Sequence, residues 1–175
     1  MNSTEKRDLK AVIYLENCYQ GNLSQNDLES WESLPWNNWL SVWLQSLEDE
    51  FVLSDPCELT LRCVGDRQMQ EFNQQYRGFD RPTDVLAFAA TEVDIPQPLD
   101  LNEPLYLGDI IISLDTAKKQ ARKQQHSLTV ELAWLASHGL LHLLGWDHPD
   151  ERSLANMLKL QANMLKSAEI TDKIA

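Results

Sequence analysis

The sequence predicts a single α+β domain spanning residues 1–175, with a mixed β-sheet of about four strands packed with helices around a central apolar helix. Its 175 residues fit one hydrophobic core and leave little room for a second. Four short segments are apolar and rich in strand-forming residues, and five longer segments repeat with helical spacing. Hydrophobic residues make up 43% and charged residues 24%, a composition that excludes disordered and fibrous classes.

The predicted strands are short and precede most of the predicted helices. The first covers residues 11–17, where Val12 and Tyr14 alternate with Ile13 and Leu15. The remaining three are expected at residues 58–64, 85–90 and 107–113. A polar loop is expected directly after the first strand.

Five helices are predicted from the 3.6-residue repeat. The first begins after Ser33 and Pro35 and repeats Trp36, Trp39 and Trp43 on one side, so we expect these tryptophans in the core rather than on a base-stacking surface. The other helices are expected at residues 67–76, 114–125, 128–144 and 151–166. The helix over residues 128–144 is apolar on most sides and is therefore expected to be central.

A segment rich in proline and acidic residues, 91–104, interrupts the regular elements. It contains Pro96, Pro98 and Pro104, which favour a loop, and we expect this loop to be mobile.

Charge and cysteine content limit the class of protein. The formal net charge of −12 argues against a nucleic-acid binder that works by bulk attraction, although Lys118, Lys119, Arg122 and Lys123 form a local basic cluster. The odd number of cysteines, without a Cys-x-x-Cys pair, predicts neither a disulfide framework nor a thiolate zinc site. The polar N-terminus and the lack of a long apolar run lead us to expect a cytoplasmic protein without a membrane span.

Three of the four histidines lie within eleven residues, in HGLLHLLGWDH (138–148). His138 and His142 are four apart and share one face of the predicted helix. Gly145 can end that helix with positive φ, so that the chain turns back and brings His148 toward the other two. Three imidazoles with a fourth position open are typical of a catalytic zinc site, although nickel, copper or iron also suit such ligands. The fourth histidine, His126, is expected to be an exposed linker residue without a role.

The His-x₃-His-x₅-His spacing is also that of the metzincin proteases, which carry glutamate directly after the first histidine. Here that position is Gly139. The glutamate is the general base of those proteases, so its absence makes a metallopeptidase the second interpretation.

The histidine motif, together with YRGFDRPTDVLAF (76–88) and GDI (108–110), resembles the YbeY family of bacterial endoribonucleases over roughly residues 57–165. The resemblance implies a zincin-like fold and one Zn²⁺ per chain, with His138, His142 and His148 as the metal ligands and Arg77 as the basic residue essential for cleavage. It further implies a zinc-dependent enzyme that cleaves single-stranded RNA in maturation of the 16S ribosomal RNA 3′ end and in ribosome quality control. The implied partners are single-stranded RNA, ribosomal RNA and the small ribosomal subunit or its proteins.

The sequence departs from the family pattern at three positions. Ala87 and Ala89 stand where the family usually has serine and proline, and Trp146 stands where it usually has tyrosine. Ala87 lacks the hydroxyl of the usual serine, and the contribution of that hydroxyl is open. We expect Trp146 to have little effect on metal binding.

A third interpretation is a non-enzymatic assembly factor in which zinc only staples the fold. Structural zinc normally has four protein ligands, so this reading requires a fourth ligand from Cys18, Cys57 or Cys63.

Overall fold

The computed structural model describes residues 9–51, 56–92 and 102–172. It contains four strands, six helices and a short 3₁₀ turn at Ala90–Glu92. The elements are β1 (Ala11–Asn17), α1 (Gln25–Glu32), α2 (Trp36–Ser46), β2 (Cys57–Val64), α3 (Asp66–Arg77), β3 (Val85–Ala89), β4 (Leu105–Ser113), α4 (Leu114–Gln124), α5 (Leu128–Leu143) and α6 (Glu151–Ser167). The predicted α+β class and four-stranded sheet are confirmed.

The sheet has the strand order β1-β2-β4-β3 and is mixed. β1 and β4 each run parallel to β2, whereas β3 pairs with β4 in the antiparallel direction. The antiparallel pair places Val85 opposite Ile112 and Ala89 opposite Gly108. This edge of the sheet carries the short strand that faces α5.

Helices cover the two faces of the sheet unequally. One face packs against α2 and α5, with α6 packed on those two helices, in a large cluster that includes Ile13, Leu61 and Ile110 of the sheet. On the opposite face, Met69 of α3 packs with Val64, Leu86, Ile111 and Phe72 in a smaller cluster. The sheet therefore lies between a thick helical layer and a single helix.

The tryptophans of α2 are buried, as predicted. Trp36, Trp39 and Trp43 are 3%, 5% and 1% exposed, and their rings contact one another in sequence along the helix. All three rings belong to the large cluster that α2 forms with the sheet and α5. These side chains are therefore core residues and do not present a stacking surface.

The free edge of β1 is partly closed by a side chain. The backbone N–H of Ile13 donates a 2.8 Å hydrogen bond to Oδ1 of Asn37 on α2. An open strand edge is a template for pairing with another chain, so this contact protects the sheet at its outer strand.

The predicted loop after β1 is wrong in part, because it contains helix α1. Trp31 of that helix is fully buried, and Ser24 accepts a 3.2 Å hydrogen bond from the N–H of Asp27 at its start. The central part of the predicted 91–104 loop, residues 93–101, lies outside the described residues. Among the described helices, none is long and apolar enough to cross a membrane.

Candidate metal centre

Helix α5 places His138 and His142 beside the sheet edge. Ser127 caps the helix by accepting a 3.2 Å hydrogen bond from the N–H of Val130, and ten of the sixteen helical residues are buried. The two histidines remain half-buried on one face of the helix. Because they are four residues apart, their rings lie one above the other, with centroids 4.6 Å apart.

The turn after α5 brings the third histidine back, as the sequence predicts. Gly145 has a φ of +92°, and its N–H bonds to the carbonyl of His142 at 3.0 Å. Trp146 donates its N–H to the carbonyl of Leu141, which reverses the chain. The ring of His148 then lies 5.8 Å from that of His138 and 5.5 Å from that of His142, centroid to centroid.

The nitrogen atoms of the three rings are arranged to hold one ion. One ligand nitrogen from each histidine lies within 4.8 Å of the others. The Nε2 atoms of His138 and His142 are 3.1 Å apart. A tetrahedral zinc ion with bonds of about 2.0–2.1 Å holds its ligand nitrogens roughly 3.3–3.4 Å apart, so only a small adjustment is needed. The three histidines therefore fit a metal ion.

The surroundings keep the imidazoles of His138 and His142 neutral. Burial is the main reason that the pKa of His142 falls to about 4, with further lowering by His138 and His148. Burial also lowers the pKa of His138, whereas the hydrogen bond that its ring donates to Gln161 raises that pKa. Neutral imidazoles have a lone pair available at pH 7, which is the form that binds a metal.

Gln161 on α6 orients the first histidine, a contact that sequence reasoning missed. Nδ1 of His138 donates a 3.1 Å hydrogen bond to Oε1 of Gln161, which leaves Nε2 of His138 for an ion. The Gln161 amide in turn donates to the carbonyl of Trp134 at 3.2 Å, and its side chain is fully buried. In the sequence, the only sign of this role is that a polar residue, Gln161, stands at helical spacing with the apolar residues Met157 and Met164.

Arg77 lies at the same site, at the last position of α3. Gly78 follows with a φ of +75° and ends the helix, so the Arg77 side chain enters a cavity of about 290 Å³ that His138, His142 and His148 also line. Its positive charge adds to the lowering of the His142 pKa. None of the described residues forms a hydrogen bond or ion pair with the guanidinium. Arg77 is therefore available to a ligand in this cavity.

The acidic residues near the site are held by the protein itself. Asp84 accepts hydrogen bonds from the N–H of Val85 at 2.8 Å and from the Gln120 amide at 3.1 Å. Asp147 accepts the N–H of His148 at 2.8 Å. Asp84 and Asp147 both line the histidine cavity, as does Ala87 at the first departure from the family pattern.

The expectation for His126 is wrong. Its side chain is 22% exposed and pairs with Glu131, which is almost completely buried in the first turn of α5. Burial raises the pKa of Glu131, and the contact with His126 opposes that rise. His126 lies in the turn between α4 and α5, whereas Glu131 lies in the first turn of α5, so helical spacing did not reveal the pair.

Gly139 is closed in by the sheet. A Cβ atom at this position would lie 2.8 Å from Cγ2 of Ile110 on β4, closer than packed atoms approach. The helix packs closely on the strand at this point, so the glutamate that the metzincin proteases carry would fit only if the Ile110 side chain moved. Within the described part of the chain, none of the three cysteines joins the histidine cluster.

Comparisons with known proteins agree with the motif. A family model described as "Endoribonuclease YbeY" matches residues 22–169. A protein named Endoribonuclease YbeY from Picosynechococcus sp. is 49% identical over 162 residues, which cover 93% of this chain and 96% of the relative. One of the same name from Cyanothece sp. is 53% identical over 158 residues, 90% of this chain and 92% of the relative.

The fold also matches a solved structure. The solution structure of TM1509 from Thermotoga maritima aligns with a TM-score of 0.51 at 20% sequence identity. The alignment covers 93% of this chain and 99% of that one. At this identity the likeness supports the fold alone.

Proposed function

This chain belongs to the YbeY family of endoribonucleases, and from that premise we propose that it cleaves single-stranded RNA at a zinc site formed by His138, His142 and His148. It is an endoribonuclease, a hydrolase of RNA phosphodiester bonds. The observation that carries the proposal is that the three histidines and Arg77 line one cavity. Helix α5 has, in this proposal, the role of the metal-binding helix in a zincin-like fold.

The chemistry is divided between the metal and the arginine. When bound, zinc acts as a Lewis acid that stabilises negative charge on a phosphoryl oxygen and lowers the pKa of water. Arg77 stabilises the remaining charge, because its planar fork of donors matches two oxygens of a phosphate. Gln161 keeps the His138 ring in the orientation that leaves Nε2 free for the ion.

The acidic character of the chain bears on its partners. With a net charge of −12, the protein is repelled from bare RNA at a distance, so we expect weak and salt-sensitive binding through Arg77 and its surroundings. We propose that the ribosome or its proteins assist, that the substrate is the 3′ end of 16S ribosomal RNA, and that the enzyme acts in the cytoplasm in ribosome maturation and quality control. The family membership supports this assignment.

Two other functions have less support. A metallopeptidase requires a carboxylate beside the metal, whereas this chain has Gly139 there, packed closely on Ile110, and Glu131 is paired with His126. A purely structural zinc requires a fourth protein ligand, and among the described residues the cysteines lie outside the histidine cluster.

Cleavage of an end-labelled single-stranded RNA by the purified protein tests the proposal, with casein as a second substrate. We expect the RNA alone to be cut, and His142→Ala, purified identically, not to cut it. Cleavage of casein would favour the peptidase. Equal RNA cleavage by His142→Ala would show that the activity comes from elsewhere.

The ends of the products identify the nucleophile. A 2′,3′-cyclic phosphate on the upstream product would exclude direct attack by water, because such an end forms when the neighbouring hydroxyl attacks.

The cleavage assay also tests Arg77. Arg77→Lys keeps the positive charge but loses the planar guanidinium that can bind two phosphate oxygens at once. We therefore expect kcat to fall by about 100- to 1000-fold while zinc is retained.

A further inference from the structure

An exposed aromatic ring lies beside Arg77. Tyr76 is 57% exposed, although it belongs to the last turn of α3 and its neighbours on the inner side of that helix are packed. Its ring stacks against Phe72 at 6.3 Å and meets Phe88 of β3 edge-on at 5.0 Å, centroid to centroid. The protein therefore supports this ring from two elements while leaving more than half of the side chain open to solvent.

The open side of Tyr76 lines a cavity of about 510 Å³. This cavity and the histidine cavity share four lining residues, Arg77, Ala87, His142 and Asp147. The two cavities therefore adjoin, and Arg77 lines both of them. A volume of this size is within the range of sites that hold small organic groups such as a nucleoside.

We propose that Tyr76 is a stacking platform for one unpaired base of the RNA, next to the phosphate that Arg77 contacts at the proposed zinc site. The proposal rests on the proposed function and extends it to the recognition of single strands. A base in a duplex has both faces covered by its neighbours, so only an unpaired base can turn onto the Tyr76 ring. Stacking of this kind tolerates every base, because each base has an aromatic face.

The charge of the protein makes such a platform necessary. A net charge of −12 leaves little long-range attraction for RNA, so short-range contacts must supply the affinity. Tyr76 and Arg77 are consecutive residues. In this proposal the Tyr76 ring binds a base, and the Arg77 guanidinium binds a phosphate next to that base. The Tyr76 hydroxyl has no part in this contact.

The test compares variants of Tyr76 on one single-stranded RNA, using kcat/KM and the binding constant from fluorescence anisotropy. We expect Tyr76→Ala to reduce both by roughly 5- to 150-fold, and Tyr76→Phe and Tyr76→Trp to keep them. Phe79→Ala is the matched control, since Phe79 is 53% exposed and contacts Arg81 outside this cavity. Zinc content and thermal unfolding show whether each variant is folded.

A set of RNAs with a single abasic position identifies the contact. For the wild-type protein, removal of one base near the cleaved bond should cost as much as Tyr76→Ala, and Tyr76→Ala should be insensitive to that removal. Additive losses, or a Tyr76→Ala variant equal to wild type, would overturn the proposal. If the wild-type protein cuts no RNA, the proposed function fails, and the anisotropy series still decides whether Tyr76 binds an unpaired base.

Discussion

The two ends of helix α5 each place polar groups in an apolar environment, and they do so in opposite ways. At the N-terminal end, Glu131 is 4% exposed, and its carboxylate pairs with the imidazole of His126. At the C-terminal end, His138 and His142 face each other with Nε2 atoms 3.1 Å apart, and the surroundings hold both neutral. The first arrangement is complete within the protein, whereas the second leaves lone pairs for a cation.

The difference separates a structural contact from a binding site. A buried carboxylate requires a partner, because an isolated charge in an apolar environment is costly. Neutral imidazoles can be buried without a counter-charge, and a lowered pKa keeps them ready to bind a metal. On this helix, a metal site is therefore indicated by clustered imidazoles whose pKa values are lowered.

Metal content provides the largest test of this comparison. We expect the wild-type protein to bind one zinc ion. Loss of a residue that only orients a ligand reduces metal affinity by roughly 10- to 100-fold. We expect a larger loss of zinc affinity for His142→Ala, because this substitution removes a ligand itself. Glu131→Gln, which alters the other end of the same helix, should keep one ion per chain. Elemental analysis after gel filtration measures both, and loss of zinc from Glu131→Gln would contradict the separation.

A smaller effect is expected from the residue that orients His138. Gln161→Leu removes the acceptor of the Nδ1 hydrogen bond and should reduce zinc affinity by about 10- to 100-fold. Gln161→Glu keeps an acceptor at the same place and should retain the affinity. Competition with a chromogenic chelator measures the two variants. Equal affinity of Gln161→Leu and wild type would show that packing alone orients the ring.

The smallest effect concerns the stability of the metal-free protein in acid. Between the ordinary histidine pKa of 6.5 and the value of about 4 for His142, the unfolded chain binds a proton that the folded protein does not, so stability falls as the pH falls. Glu131 has the opposite effect on stability. Its pKa is raised above the ordinary 4.5, so the folded protein binds a proton that the unfolded chain does not, and this contribution to stability increases as the pH falls.

Urea unfolding with a chelator at pH 7.5, 6.5, 5.5 and 4.5 measures this balance. Relative to wild type, the loss in acid should be shallower for His142→Ala and steeper for Glu131→Gln. Parallel pH profiles for all three proteins would show that these two ends of α5 do not determine the acid response.

The sequence predicted the local parts of this site and missed those that depend on distant packing. His138, His142 and Gly145 follow from helical spacing and a turn, which are short-range properties. Gln161 is 23 residues from the histidine that it orients, so only the packing of α6 on α5 reveals the contact. Spacing along the chain contains no information of that kind.

The fold shows the same division. The strands and most helices follow from their periodicity, whereas the order β1-β2-β4-β3 depends on which strands meet in space. Helix α1 was missed because it has little apolar repeat, although Ser24 three residues before Asp27 was a usable start signal. Its stability comes from the burial of Trp31, a tertiary contact.

The close contact between Gly139 and Ile110 limits how the histidine site can diverge. A Cβ atom at position 139 would lie 2.8 Å from Cγ2 of Ile110, so a glutamate at this position requires the Ile110 side chain to shift or to be replaced by a smaller one. A smaller residue at position 110 would leave a cavity in the core, at a cost of about 2–5 kcal/mol, before any new activity exists to be selected. The spacing between a helix and a strand thus separates two enzyme chemistries by an evolutionary barrier, even though they share the same histidine pattern.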